Sequence, residues 1–328
     1  SIRPTQFPIR RRKNRRFVQP KVKKAWKQVD GVLLLDKAQG MTSNDALQKA
    51  RRLFSAAKGG HTGTLDPMAT GLLPLCFGEA TKFSADLLDA DKTYEAVIKL
   101  GVATDSGDAE GQVIATSPVD VSETQLMGVL PRFSGDILQV PPMHSALKRD
   151  GRPLYELARQ GIEVERDPRP VRIHRIDCLA FSGDTVTLRV ACSKGTYIRV
   201  LAADIGQALG CGAHLIALRR TAVGNLLLAG AFSLADLELL DEAERLTRLS
   251  PVDALLSSLP RVDLVPTEAE RFRHGNPVPL PLGLAGKIRV YADECLIGVG
   301  EPGNAGLLWP KRLVQLAIQT DIIPRFPS

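Results

Sequence analysis

The sequence predicts an α/β chain of the α+β kind, with a large domain over residues 31–255 and a small β-rich module over residues 260–325. Three observations carry this. A length of 328 residues exceeds what one small core organises. Between residues 31 and 249, short apolar or alternating runs of strand character interleave with stretches of helical spacing. Beyond Pro251 the composition shifts, and Pro260, Pro266, Pro277, Pro279 and Pro281 punctuate short apolar segments.

Taken in order, Gly31 to Leu35 is a continuous apolar run that reads as a buried strand, followed by Lys37 in a loop with Gly40. Ser43 is placed to cap a helix whose Ala46, Leu47, Ala50 and Leu53 share one face. The stretch Gly59 to Gly71 reads as a loop, Leu72 to Phe77 as a strand, and Glu79 to Leu88 as a helix. From Lys92 the chain alternates, with Tyr94, Ala96, Ile98 and Leu100 on the apolar side of a half-buried strand. Helical spacing returns at Ser122 to Leu130 and at Leu154 to Ala158, stopping at Gly161. Val171 to Phe181 and Asp184 to Cys192 form a hairpin about Ser182-Gly183. Thr196 can start a helix with Ile198, Leu201, Ile205 and Leu209 facing inward, ending at Gly210. Leu215 to Gly224 reads as strand and loop, the acidic stretch Ser233 to Leu249 as one helix, and Ile288 to Tyr291 and Leu296 to Val299 as brief strands.

Composition narrows the function classes. No apolar run reaches eighteen residues and no apolar stretch of signal-peptide type opens the chain, so the expectation is a cytoplasmic protein without membrane contact. The five cysteines lack metal-ligand spacing, and Cys192 continues the apolar face of a strand, so none is expected to act as a nucleophile. The net charge of +7 is a property of the tail. Residues 1–30 hold eleven Lys/Arg and one acid, whereas the remainder holds 32 basic and 35 acidic residues. A run such as Arg10-Arg11-Arg12-Lys13-Asn14-Arg15-Arg16 cannot pack a core; it reads as a disordered arm attracted to phosphate.

The chemistry centres on GGHTGTLDPMATG, residues 59–71. Glycines permit positive φ, and Pro67 holds Asp66 out of the helical region, which leaves one carboxylate on a stiff turn. A phosphate cradle would need Gly-Lys-Ser/Thr where this stretch has Leu-Asp-Pro. The turn Thr104 to Gly111 suggests a calcium loop, but aligning Asp108, Glu110 and Gly111 with the third, fifth and sixth ligand-loop positions leaves Ser106 and Ser117 where carboxylates are required. No metal is expected. Arg199 stands in the first turn of its helix, where the macrodipole is already positive, so an anionic partner is implied: a phosphate or Asp66.

GVLLLDKAQGMTSNDAL at 31–47, GGHTGTLDPMATGLLPLCFGEATK at 59–82 and KGTYIR at 194–199 resemble, in order, the TruB family of tRNA pseudouridine synthases. The resemblance runs from about residue 31 to 325 and implies a catalytic domain with a mixed, largely antiparallel sheet flanked by helices. It also implies a PUA-like RNA-binding module, to whose start Arg273-His274-Gly275-Asn276-Pro277-Val278 is similar. The implied reaction isomerises uridine to pseudouridine in the T loop of tRNA, at uridine 55. The implied partner is the tRNA T arm, with a monomeric enzyme and no cofactor, since the product is an isomer. Asp66 is then the essential carboxylate and Arg199 the guanidinium that keeps it ionised, gripping it at two points. Tyr94 matches the pocket tyrosine that stacks on the flipped base, and His61 is placed to fill the vacated position. Lys37, Lys82 and Arg220 are candidate phosphate contacts, and Tyr197 of KGTYIR joins the substrate-binding set.

Two other classes compete. A non-catalytic RNA-binding protein explains the charge but gives GHTGTLDP no purpose. A glycoside hydrolase needs a second carboxylate about 5–10 Å from Asp66, a position that Asp108 approaches only if the fold brings it there. The sequence leaves open whether Asp66 attacks C1′, adds to the uracil ring or deprotonates the ribose.

Overall fold

The computed structural model describes residues 25–145, 147–149 and 151–315. The first twenty-four residues of the expected arm, and the end of the expected module, lie outside the described residues. Residues 25–30 do not follow the expectation of a disordered extension. The Lys27 N–H donates to the Ser55 carbonyl, Val29 is buried, and Trp26 lies under the Arg51 guanidinium.

In the first sheet the strands are β1 Gly31–Lys37, β2 Gly59–His61, β3 Thr70–Phe77, β4 Lys92–Leu100, β5 Gly135–Gln139, β6 Arg169–Ser182, β7 Thr185–Cys192, β8 Ala213–Val223 and β9 Leu226–Leu227. Their order is β1-β3-β8-β4-β7-β6-β5, with β2 paired to β3 and β9 to β8. Only β3 and β8 run parallel, so the sheet is mixed and largely antiparallel. Helices α1 Ser43–Phe54 and α2 Ile198–Ala208 cover one face. Their Ala46, Ala50, Leu201 and Ile205 pack with Leu33, Leu75, Ile98 and Leu188 of the strands.

A second sheet follows the order β10 Arg261–Asp263, β12 Ile288–Ala292, β13 Cys295–Pro302, β14 Leu307–Leu313, β11 Val278–Pro279, with α3 Pro266–Arg273 packed on it. The two sheets share a core. Val32, Leu72 and Cys76 on the outer face of β1 and β3 pack in one apolar cluster with Leu255, Tyr291, Leu296 and Val299. This explains why β1 and β3 read as unbroken apolar runs while β4 alternates: the first two are buried on both faces.

Several local expectations need correction. Thr42, not Ser43, caps α1, in a reciprocal pair with Asp45, and Ser43 turns inward. Lys37 ends β1 rather than lying in a loop. Residues 78–88 begin as a 3-10 turn, Gly78–Phe83, before the short helix Ser84–Leu88. Residues 233–249 split into Leu234–Leu239 and Glu242–Leu246, each started by its own capping box, Ser233 with Asp236 and Asp241 with Glu244. Helix α2 begins at Ile198 after Tyr197, while the Thr196 hydroxyl donates back to the Ser193 carbonyl. Cys192 is buried as expected, and burial pushes its thiol up to about 11.

Candidate active site

Asp66 lies on residues 62–69, the loop that leaves β2 and returns as β3. The loop backbone is tied on both sides of the carboxylate. The Arg220 guanidinium donates to the Gly63 carbonyl at 3.3 Å and to the Thr64 carbonyl at 3.5 Å. Ser43 Oγ accepts from the Leu65 N–H at 2.8 Å and donates to the Leu65 carbonyl at 3.1 Å. The Pro67 carbonyl accepts from the Gly40 N–H at 2.8 Å and from Lys37 Nζ at 3.5 Å. Gly71 closes the loop at φ +99°, where an added Cβ would stand 2.3 Å from the Arg220 carbonyl oxygen, so glycine is required for β8 to pair alongside.

Arg199, in the first turn of α2, meets Asp66 with Nε at 3.1 Å from Oδ2. The expected two-point grip does not form. The terminal nitrogens instead donate to the Ser106 carbonyl at 3.2 Å and the His144 carbonyl at 2.7 Å. On its other side Nε stands 3.5 Å from Oδ2 of Asp108. Asp108 is buried, and its Oδ1 accepts from the Ser106 hydroxyl at 2.6 Å and the Glu110 N–H at 3.0 Å. Burial is asymmetric across this triad: the Asp66 side chain is 42% exposed, those of Arg199 and Asp108 5% each. One carboxylate therefore faces the cleft, and the other anchors the cation from behind.

Sequence reasoning named Asp108 only as a second carboxylate that the fold could bring towards Asp66, and missed its contact with Arg199. The signal was the polar turn itself, since Asp two residues after Ser106 and two before Glu110 is the spacing of a side chain that bonds its own turn.

The cleft over Asp66 measures about 720 Å³, within the range of small-molecule sites, and His61, Leu65, Asp108, His144, Tyr155 and Arg199 are among the residues that form its wall. His61 belongs to this wall. Burial and the Arg220 cation lower its pKa from 6.5, so the imidazole is neutral at pH 7, and its buried Nδ1 has no hydrogen-bond partner among the described residues. Tyr94 is half-buried on β4, opposite Arg220 of β8, and burial raises the pKa of its phenol. Tyr197 precedes α2; its backbone N–H and carbonyl are both held by the Gln139 side chain, and burial raises its phenol pKa.

The three expected phosphate contacts are placed otherwise. Lys37 is fully buried, donating to the Ala38 carbonyl at 2.9 Å and the Met41 carbonyl at 2.7 Å; burial, partly offset by Asp66, lowers its pKa to about 8. Arg220 is 1% exposed. Lys82 pairs with Glu79 and donates to the Leu313 carbonyl, which puts it where the two sheets join. Among the described residues, no cluster of three His, Cys, Asp or Glu is arranged to hold a metal ion, and no helix is long and apolar enough to cross a membrane.

Residues 51–198 match the model of the TruB family pseudouridylate synthase N-terminal domain. Residues 199–257 match the tRNA pseudouridylate synthase B C-terminal domain, and residues 260–314 the pseudouridine synthase II TruB C-terminal model. The chain is 79% identical over 295 residues to the tRNA pseudouridine synthase B of Dechloromonas aromatica (strain RCB), across 90% of this chain and 99% of that protein. It is 59% identical over 299 residues to the protein of that name from Ralstonia nicotianae, across 88% and 95%. In fold it is similar to a chain of an H/ACA ribonucleoprotein bound to a substrate RNA containing 2′-deoxyuridine, with a TM-score of 0.68 over 87% of this chain and 85% of that one at 23% identity. The aspartate loop, the sheet that carries it and these near full-length identities agree: the chain belongs to the TruB family of pseudouridine synthases.

Proposed function

We propose that this chain isomerises the uridine of the tRNA T loop, uridine 55, to pseudouridine, with the target base flipped into the cleft over Asp66. The observation that carries the reading is the asymmetry of the two carboxylates on Arg199. Asp66 faces the cleft on a tied loop with its charge supported by a buried cation, whereas Asp108 is buried with both oxygens engaged. A hydrolase of the two-carboxylate kind needs a second acid free to move a proton at the bond being cut, and Asp108 is not free. A single ionised carboxylate in a cleft suits a rearrangement within one nucleotide. The C1′–N1 bond breaks, C1′ joins C5 of the same base, the C5 hydrogen leaves to solvent and N1 gains a proton.

In this reading Asp66 is the group that acts at the sugar or base, and Arg199 holds it in place. Tyr94 stacks on the base, and the neutral His61 fills the space the base vacates. Tyr197 adds to the binding of the substrate. Residues 31–255 form the catalytic part and residues 260–325 an RNA-binding part of a monomer that works in the cytoplasm.

The test is a T-arm stem-loop carrying tritium at C5 of the target uridine. Tritium should enter water in proportion to the RNA converted, and a chelator should leave its release unchanged. Retention of the label, or appearance of free uracil, would overturn the reading.

A further inference from the structure

Helix α2 carries Arg199 in its first turn, yet its N-cap residue, Tyr197, makes no side-chain cap bond. The start of the helix is held from another element. Gln139 ends β5, the edge strand of the first sheet, and is 2% exposed. Its Oε1 accepts from the Tyr197 N–H at 3.0 Å, and its Nε2 donates to the Tyr197 carbonyl at 3.3 Å. One side-chain amide therefore engages both backbone groups of an extended residue, at φ −100° and ψ 107°, as a neighbouring strand would. The same carbonyl accepts from the Leu201 N–H at 3.1 Å, the first bond of the helix. Further along from Gln139, the His144 carbonyl accepts from the Arg199 guanidinium at 2.7 Å, and Pro141 and Pro142 fix φ between these two contacts.

We propose that Gln139 is a positioning residue for the isomerisation: by gripping both backbone groups of Tyr197 it sets where α2 starts, and so where Arg199 meets Asp66. The inference rests on the proposed function, in which Arg199 holds the acting carboxylate in place. Nε of Arg199 stands 3.1 Å from Asp66 and 3.5 Å from Asp108, and its terminal nitrogens are engaged by the Ser106 and His144 carbonyls. A displaced helix start cannot keep all four contacts. Glutamine suits the task because its planar amide places one donor beside one acceptor, the complement of what one extended residue offers. An ionised carboxylate only accepts, and an ammonium only donates. Gln139 is not among the residues that form the cleft wall, so its effect passes through Tyr197 to Arg199.

Gln139→Met keeps the buried volume and removes the donor and the acceptor. At a temperature where circular dichroism shows the variant folded, single-turnover conversion of the T-arm stem-loop at saturating RNA should fall about 100-fold, the scale of a misplacement of about 1 Å between reacting groups. The Kd for that RNA should weaken by less than about tenfold, because the loss falls on the placement of Arg199. Arg199→Lys already lacks the placed Nε, so adding Gln139→Met to it should cost less than about threefold more. The Arg199 Nε–H, identified in nitrogen NMR spectra by its absence from Arg199→Lys, should exchange with solvent at least about tenfold faster in RNA-free Gln139→Met.

A wild-type rate in the folded variant, a loss of affinity equal to the loss of rate, losses that multiply in the double variant, or unchanged exchange of the Arg199 Nε–H would overturn the proposal. Should Gln139→Met not fold, Gln139→Asn, which keeps a buried amide one methylene short of Tyr197, carries the same expectations. If the wild-type chain releases no tritium, the functional reading fails, and exchange of the Arg199 Nε–H still judges whether Gln139 places the guanidinium.

Discussion

Asp108→Asn is the most telling single change, because it alters charge behind the site without touching the cleft face of Asp66. Asparagine can keep the acceptor at Oδ1 for the Ser106 hydroxyl and the Glu110 N–H. With its oxygen so used, the other position is the amide NH2 facing the Arg199 Nε–H, and the buried cation loses one of its two carboxylates. Breaking a buried pair costs about 3–5 kcal/mol when a charge is left alone; Arg199 retains Asp66, so the lower end, about 3 kcal/mol, applies. For a folded unit of this size that lowers Tm by roughly 6–12 °C. The catalytic consequence follows from geometry. With one anchor gone, Nε is drawn towards Asp66 and the carboxylate shifts with it, which should lower the single-turnover rate about 100-fold. Thermal melts followed by circular dichroism give the first number, and tritium release at saturating RNA the second. A Tm within about 2 °C of wild type, together with a rate within about threefold, would refute a structural charge triad.

Asp66→Asn should abolish turnover and leave the Kd for tRNA within a few-fold, as filter binding and tritium release will show; equal losses would mark the aspartate as structural. His61→Ala should slow conversion of a folded T-arm stem-loop more than that of a short unstructured RNA, because only the folded substrate must be unstacked before reaction. Lys37 and Lys92 are both buried with pKa lowered to about 8, so between pH 8 and 10.5 the unfolded state holds more protons than the folded one and stability rises with pH. Each lysine contributes on the order of 3 kcal/mol over that window. The difference in unfolding free energy between wild type and Lys92→Met, from urea titrations at pH 7.5 and 10, should rise accordingly, and a pH-independent difference would show that Lys92 is not buried in its charged form.

The parts of the site legible in the sequence were those whose role is written locally. Asp66 stood out because glycines and Pro67 frame it, and Arg199 because a cation in a first helical turn asks for an anion. Lys37 and Arg220 were misread because nothing local distinguishes a solvated cation from a buried one. The Arg220 partners are carbonyls of residues 63, 64 and 72, within reach only when β3 and β8 pair, whereas Lys37 folds back onto the carbonyls of residues 38 and 41 and reaches that of residue 67 once the aspartate loop packs against β1. Of the first sheet, β1, β3, β4, β6, β7 and β8 were readable from one-sided or continuous apolar patterns, whereas β2, β5 and β9 were not. The break within residues 233–249 was also present in the sequence, since Ser233–Asp236 and Asp241–Glu244 each carry a helix start, but the acidic composition masked the interruption. In the C-terminal part, β14 escaped notice because Trp309-Pro310-Lys311 breaks its alternation, and Pro310 is accommodated at a register shift opposite Gly300.

The apolar cluster common to both sheets makes the aspartate loop an end of a strand that is sealed from two sides. Leu72 and Cys76 of β3 are closed off by Tyr291, Leu296 and Val299, and the Lys287–Asp86 and Lys82–Leu313 contacts run along the same seam. The C-terminal sheet is then part of the foundation of the aspartate loop and not a detachable unit. A chain cut after residue 257 would bring the outer faces of β1 and β3 into water, and the full chain should melt in one cooperative step instead of two.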